Sequence, residues 1–358
     1  MMPSRFSILD NTPVNQAEVA KCHSIAERLR SLPLHRSAER NWLAVDYSPV
    51  YQGSFIGNAV VDENFLNNLR TQCPFFTGYP LGYLDDFDGR TPTGDHSVLW
   101  VNDKDWIIET YNDYVAGLTE DLLYRPPLRL GESGFNRNGI CVNPDTIAYQ
   151  ERITLLHALG VLDRLRTIAD PTIVEIGGGY GALAHALLTR FPQARYVIVD
   201  LPSSLLFSAC YLAVNLPDLP ITVTDDLSAL CRSDFTGIAF VPDYAVPGHA
   251  PLAADLGINT LSFAEMPEST VASYASFLFH ALKNRNGVLF EQNFGCSTHG
   301  ETFSDPEAVL KRFFDFQIRC RAKTRWGRAS LWTTASHFNR DLNWPPGMLG
   351  VLAQREPA

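Results

Sequence analysis

The chain has little of several things that would declare a function class. Across its 358 residues no apolar run reaches the ~20 residues of a membrane span, so no transmembrane helix is expected. The segment from Met1 to Asp10 carries no basic stretch followed by an apolar one. It therefore shows no secretory leader, and a cytoplasmic location is expected. Positive charge is short: 29 Lys plus Arg stand against 39 Asp plus Glu, a formal charge of −10. That balance argues against a nucleic-acid partner, which would require broad phosphate neutralisation. Seven cysteines are scattered and never in C-x-x-C spacing, which disfavours both a disulfide framework and a structural zinc site. Most read as buried small hydrophobes; Cys296 is the one to watch, because it follows a strand near an expected site mouth.

What is present is a soluble-enzyme composition, with 46% hydrophobic residues and enough length for one large domain or a domain plus a cap. The most informative stretch is Val174-Glu175-Ile176-Gly177-Gly178-Gly179-Tyr180-Gly181-Ala182-Leu183, followed by Tyr196-Val197-Ile198-Val199-Asp200-Leu201-Pro202. An apolar strand enters a glycine turn and leaves as a helix, which brings bare backbone N–H groups and a positive helix end to a bound ligand. Asp200 closes the next apolar run about 20 residues on, where an acid accepts hydrogen bonds from a ribose diol. Strand, glycine turn, helix, strand and acid form one half of a doubly wound α/β sheet.

The glycines alone leave the cofactor open, because Gly177, Gly179 and Ala182 also satisfy a dinucleotide fingerprint. Glu175 tips the reading. A carboxylate at the carboxyl end of the first strand would repel a pyrophosphate and favour a ligand bearing a sulfonium and an ammonium group. The pattern Glu175-x-Gly177-x-Gly179-x-Gly181 resembles the first signature of class I S-adenosylmethionine-dependent methyltransferases, over roughly residues 145–335. The resemblance implies a Rossmann-like fold, S-adenosylmethionine as cofactor and an antiparallel final strand pair, here 316–323 and 329–335.

A second block, Asp255-Leu256-Gly257-Ile258-Asn259-Thr260-Leu261-Ser262-Phe263-Ala264-Glu265-Met266, is similar to the fourth-strand segment of a bacterial sugar O-methyltransferase family. The Gly-Gly-Gly-Tyr-Gly turn, the Val-Asp-Leu-Pro ending and a following helix that includes Tyr274 resemble the same family. Ala264 and the ending Glu291-Gln292-Asn293 depart from its pattern. The resemblance implies methyl transfer to a sugar or sugar-like hydroxyl; an aromatic, amine or other natural-product acceptor is the alternative. An NAD-dependent enzyme or a non-catalytic nucleotide-binding protein comes last.

Residues 1–144 lack strand-helix alternation and are rich in aromatics. They read as a mainly helical amino-terminal cap over the substrate, with helical periods at 16–32, 63–72 and 106–123, ahead of a catalytic domain at 145–358. The run Asp85-Asp86-Phe87-Asp88-Gly89-Arg90 lacks calcium-loop spacing and reads as an exposed turn. Asn143 and Pro144 cap a helix over 145–159 whose Tyr149 and Arg152, one turn apart, would face the cofactor or cover the sheet edge. The core then continues as strand 195–200, helix 203–214, strand 256–261, helix 269–282 and strand 287–293. The third strand is ambiguous between 221–223 and 238–242, and the second would place Asp243 near the adenine. The expected cofactor set is therefore Glu175, Gly177, Gly179, Gly181, Asp200, Leu201, Asp243, Asn259, Tyr149 and Arg152.

Methyl transfer to an alcohol needs alignment, water exclusion and a base for the hydroxyl proton. The base should lie on the rim beyond strands four and five, where Glu265, His249 and His299 are the candidates and Glu291 is a further one. A divalent metal that acidifies the acceptor is the runner-up mechanism. Asp243, Asp255, Glu265 and Glu291 could supply carboxylates, yet no two of them have local ligand spacing, and no metal residue is assigned. Arg319, Arg321, Lys323, Arg325 and Arg328 alternate on the final hairpin and could hold a diphosphate. The expected partner is a small-molecule acceptor, with no nucleic acid and no membrane, and self-association is left open.

Overall fold

Short aliphatic runs that are buried on both sides favour a parallel sheet sandwiched between helices. In the computed structural model of the chain, which describes residues 11–36, 60–73, 104–232, 234–246, 252–293, 304–321 and 328–334, these runs form such a sheet. Its strands are β3 (Thr172–Ile176), β4 (Arg195–Asp200), β5 (Ile221–Val223), β6 (Ile238–Pro242), β7 (Leu256–Thr260), β8 (Val288–Asn293), β9 (Asp315–Arg321) and β10 (Arg328–Thr333). A separate ribbon pairs β1 (Phe135–Arg137) with β2 (Ile140–Val142). The sheet order is β5-β6-β4-β3-β7-β8-β10-β9. It is parallel from β5 to β8, and β10 runs antiparallel to both β8 and β9. The doubly wound sheet and its antiparallel last pair agree with the sequence reading. Both candidates for the third strand are strands: β6 pairs with β4, and β5 lies outside it at the edge.

The helices are α1 (Gln16–Arg30), α2 (Glu63–Asn67), α3 (Lys104–Val115), α4 (Pro144–Ala158), α5 (Val161–Arg166), α6 (Ala182–Arg190), α7 (Pro202–Asn215), α8 (Glu268–Lys283) and α9 (Pro306–Leu310). Alternation along β3 separates the two faces. Ile173 joins one core with residues of α4, α6 and α7, whereas Val174 and Ile176 join the other with α8 and α9. Reversal of strand order beside β3 leaves the crevice between the carboxyl ends of β3, β4 and β7 as the place where such sheets bind ligands.

The amino-terminal helices lie on the first face. Asn15 caps α1 by accepting from Ala17 and Glu18 N–H at 2.9 and 3.0 Å, and Glu18 returns the bond to Asn15 N–H at 2.8 Å, a reciprocal capping box. α1 then buries Cys22, Ile25, Ala26 and Leu29 in the same core as α7. Arg129 grips both oxygens of Glu18 at 2.7 and 2.8 Å and donates to Val214 O at 3.1 Å, tying α1 to the end of α7. Asn143 caps α4 through Thr146 N–H at 2.8 Å, with Pro144 in the first turn, as expected. The β1–β2 ribbon was not anticipated, although Asn138-Gly139, with φ of +53° and +82°, is the sequence signal of a tight hairpin.

Cys22, Cys73, Cys141 and Cys210 are buried and Cys231 is exposed; Cys296 lies outside the described residues, as do 85–90 and the hairpin turn. Among the described residues no helix is long and apolar enough to cross a membrane. Leu29, fully buried between α1 and the core, gives a direct test of that packing. Leu29→Ala should destabilise the protein by about 2–5 kcal/mol, read as a lower urea midpoint with an unchanged slope. An unchanged midpoint would mean that α1 is not packed there.

Candidate functional site

The site is built around the turn that leaves β3. Gly177, Gly179 and Gly181 hold φ of +77°, +55° and +91°, which side chains adopt only under strain. At Gly177 space is limiting as well, since a Cβ would fall 2.2 Å from Ser262 Oγ. Gly181 begins α6 with no side chain capping it, so N–H groups of that helix start remain for solvent or a ligand. Asp200, half-buried at the end of β4, accepts from Gly179 N–H at 3.1 Å and from Leu201 N–H at 2.7 Å. Its carboxylate is thereby fixed beside the glycine turn. Asp200 pairs in register with Pro242, so half-buried Asp243 follows on the neighbouring strand end. Tyr274 on α8 completes this corner. Burial, together with the charges of Asp243 and Asp200, raises its hydroxyl pKa, and its ring stacks on Phe263 at 6.3 Å.

Glu175 lies beneath the turn. It is 1% exposed, accepts from Tyr196 hydroxyl at 2.8 Å, and burial pushes its carboxyl up to about 7 despite Tyr196 and the nearby Arg152. Arg152 is buried between the Tyr149 ring, 4.8 Å from its guanidinium carbon, and Gln292 Oε1, 3.1 Å from its Nε. Gln292 donates onward to Glu151, which also accepts from Tyr114 hydroxyl, so α3, α4 and β8 share one buried polar chain. Tyr149 is buried, with its ring 5.7 Å from that of Tyr180.

Asn259 is fully buried at the end of β7. Its amide donates to Ile176 O at 2.9 Å and Ser262 Oγ at 2.6 Å, and its oxygen accepts from Asn293 Nδ2 at 2.9 Å and Phe263 N–H at 3.3 Å. Every polar atom of Asn259 thus ties β3, β7 and β8 together at the crevice. Immediately after β7, Leu261 holds φ of +69°, a strain on the order of 1–3 kcal/mol for a non-glycine residue. Leu261 N–H donates to Gln292 O at 2.7 Å, and the next residue, Ser262, lies against Gly177. The short turn Ser262–Glu265 then runs along the rim, with Ala264 N–H bonded to Asn293 at 3.2 Å.

Glu265 ends that turn. It is reachable by solvent, yet protein around it desolvates the carboxyl and pushes it up to about 7. Of the other base candidates, His249 and His299 lie outside the described residues, and Glu291 is buried and accepts from Asn293 at 2.7 Å. Asp255, considered among the metal carboxylates, sits at the amino end of β7. There it accepts from Thr172 N–H and Arg285, both at 2.8 Å, at the opposite end of the strands from Glu265 and Asp243. This removes it from that set. Among the described residues no group of three or more His, Cys, Asp or Glu could hold a metal ion. Sequence reasoning missed Ser262 and Tyr274 as residues of this corner. Tyr274 had been noted only as part of a family-like helix.

Residues 145–217 match the model of an O-methyltransferase domain. The matched segment runs from α4 through the glycine turn, Asp200 and α7. The described core has the doubly wound, mainly parallel sheet with an antiparallel last pair that the sequence resemblance implied. The residues present fit S-adenosylmethionine, the cofactor that the sequence resemblance implies: a glycine turn with no room for a Cβ at Gly177, a helix start without a side-chain cap and a fixed carboxylate at Asp200. No curated protein matches the chain. Solved structures with partial similarity include the pyocyanin biosynthetic protein PhzM, at 17% identity over 54% of this chain and 59% of that one, with a TM-score of 0.33. The mitomycin 7-O-methyltransferase MmcR shares 15% identity over 53% of this chain and 57% of its own, at 0.34. Human N-acetylserotonin methyltransferase, solved with S-adenosylmethionine, shares 16% over 53% and 55%, at 0.31. The chain thus spans under two thirds of these three structures.

Asp200 gives the sharpest test of the cradle. Asp200→Ala should weaken S-adenosylmethionine binding by about 1–3 kcal/mol, the scale of a charged hydrogen bond left unmade, as measured by calorimetry. Unchanged affinity would remove Asp200 from the site.

Proposed function

We propose that the protein is an S-adenosylmethionine-dependent O-methyltransferase that acts on a hydroxyl of a small molecule, and that Glu265 is its base. The observation that carries this reading is the O-methyltransferase domain match over the glycine turn and Asp200, with Glu265 ending the turn Ser262–Glu265 beside Gly177, where desolvation raises its carboxyl to about 7. A base poised near neutrality takes a proton best at the operating pH. In this proposal Gly177, Gly179, Gly181, Asp200, Leu201 and Asp243 hold the cofactor, while Glu175, Tyr149, Arg152 and Asn259 shape the cradle from beneath. Residues 145–358 form the catalytic domain. Residues 1–144 supply the acceptor side, in keeping with their aromatic content.

Bound S-adenosylmethionine supplies an electrophilic methyl group on a sulfonium. The chain's own part is to hold the acceptor oxygen in line, exclude water and receive the hydroxyl proton at Glu265 as the oxygen gains the methyl group. The domain match supports oxygen as the acceptor atom. The block 255–266 supports a sugar or sugar-like acceptor, since its Glu265 lies within the segment that is similar to the sugar O-methyltransferase family.

The test is an acceptor screen followed by one variant. Incubation with S-adenosylmethionine and a panel of sugars and hydroxylated natural products should yield S-adenosylhomocysteine and a mass gain of one methyl in place of hydrogen. With the accepted substrate, kcat/KM should rise with pH and level off above about 7, since the carboxyl must be ionised to act. Glu265→Gln should lower turnover by roughly 10²–10⁴-fold and flatten that limb, with cofactor affinity nearly unchanged. Full activity in this variant would rule out Glu265 and leave His249 and His299 as the remaining base candidates from the sequence.

A further inference from the structure

The glycine turn has a single side chain of its own to anchor it. Gly177, Gly178, Gly179 and Gly181 offer no side chain, and three of them sit at positive φ, so the backbone by itself leaves the turn many conformations. Tyr180 is the exception. Its side chain points into the protein, 1% exposed, with the rings of Tyr149 and Tyr211 edge-on at 5.7 and 5.1 Å. The face of its ring is covered by the guanidinium of Arg70, whose central carbon lies 3.7 Å from the ring centroid.

Arg70 comes from the amino-terminal segment and is itself 1% exposed. Its Nε donates to Glu132 and its Nη2 to Asp145, each at 2.6 Å. Asn143, the cap of α4, donates to the second oxygen of Glu132 at 2.6 Å, and Arg70 N–H donates to Leu130 O at 2.8 Å. Burial opposes the charge of Arg70, but the carboxylates of Glu132 and Asp145, together with Tyr180, hold its pKa well above the usual value. A permanently charged, planar group is therefore held by carboxylates on two sides and presents its flat face to the one ring that the turn sends into the core.

We propose that Arg70 is a positioning residue for the cofactor turn, acting through Tyr180, so that cofactor affinity depends on the amino-terminal segment although that segment carries no cofactor motif. The inference rests on the reading that this turn holds S-adenosylmethionine. Lysine at position 70 keeps the charge but loses the planar fork. Leucine at position 180 keeps an apolar peg but loses the ring face.

The experiment combines S-adenosylhomocysteine calorimetry, thermal unfolding and amide exchange at residues 177–181, all on the full chain. If the unpinned turn is competent about a tenth of the time, the apparent Kd rises about tenfold. That rise is expected for both Arg70→Lys and Tyr180→Leu, with faster exchange at 177–181 in the ligand-free protein. Tyr180→Phe, which keeps the ring, should bind as the wild type does. The double variant should lose less than the product of the two single losses, because both act on one contact. Should Arg70→Lys fail to fold, Tyr180→Leu decides. A lowered melting temperature with unchanged Kd and unchanged exchange would show a structural role only and overturn the proposal. Absence of binding by the wild type would overturn the cofactor reading instead, while unchanged exchange in the variants would still overturn the positioning role by itself.

Discussion

The crevice depends on one buried amide. Asn259 has no exposed surface, and its side chain joins the last carbonyl of β3, the hydroxyl of Ser262 and the amide of Asn293 on β8. Parallel strands have no tight turns to hold their ends together, so the separation of β3, β7 and β8 at their carboxyl ends must be set by something else. Here it is set by a residue whose hydrogen bonds cannot be rearranged without leaving a buried polar group unmade, a cost of about 1–3 kcal/mol. Ser262 is thereby held against Gly177, the strained backbone at Leu261 follows from the same sharp exit, and Glu265 is carried to the rim.

Two carboxylates of similar pKa occupy different environments around that tie. Glu175 is pushed up to about 7 while buried and bonded to Tyr196. Glu265 reaches a similar value by desolvation alone, with solvent access and no partner among the described residues. The same shift thus belongs to a buried, bonded carboxylate in one and to a solvent-accessible one in the other. Access and partners, more than the pKa itself, distinguish the two carboxylates.

Much of the fold was legible because local rules agreed. Thr172–Ile176 and Arg195–Asp200 are largely apolar runs with a glycine turn and an acid at the expected places, and the Asn143-Pro144 cap set the start of α4. The β1–β2 ribbon was missed although Asn138-Gly139 signalled it. Contacts of long sequence separation were not legible. Nothing near Arg70 announces that it will cover Tyr180, and nothing about Asp255 shows that it lies at the far end of the sheet from Glu265. Asn259 was expected at the cofactor, but its hydrogen bonds became visible only once β3 and β8 were placed beside it. Sequence period gives faces and ends of elements; it does not say which ends meet.

The central claim is that the glycine turn and Asp200 form a cradle for S-adenosylmethionine and not for a dinucleotide. Calorimetric titration of the full chain with S-adenosylhomocysteine and, separately, with NAD tests it most directly. Saturable one-to-one binding of S-adenosylhomocysteine with no heat from NAD is the predicted result. Binding of NAD in its place would contradict the account.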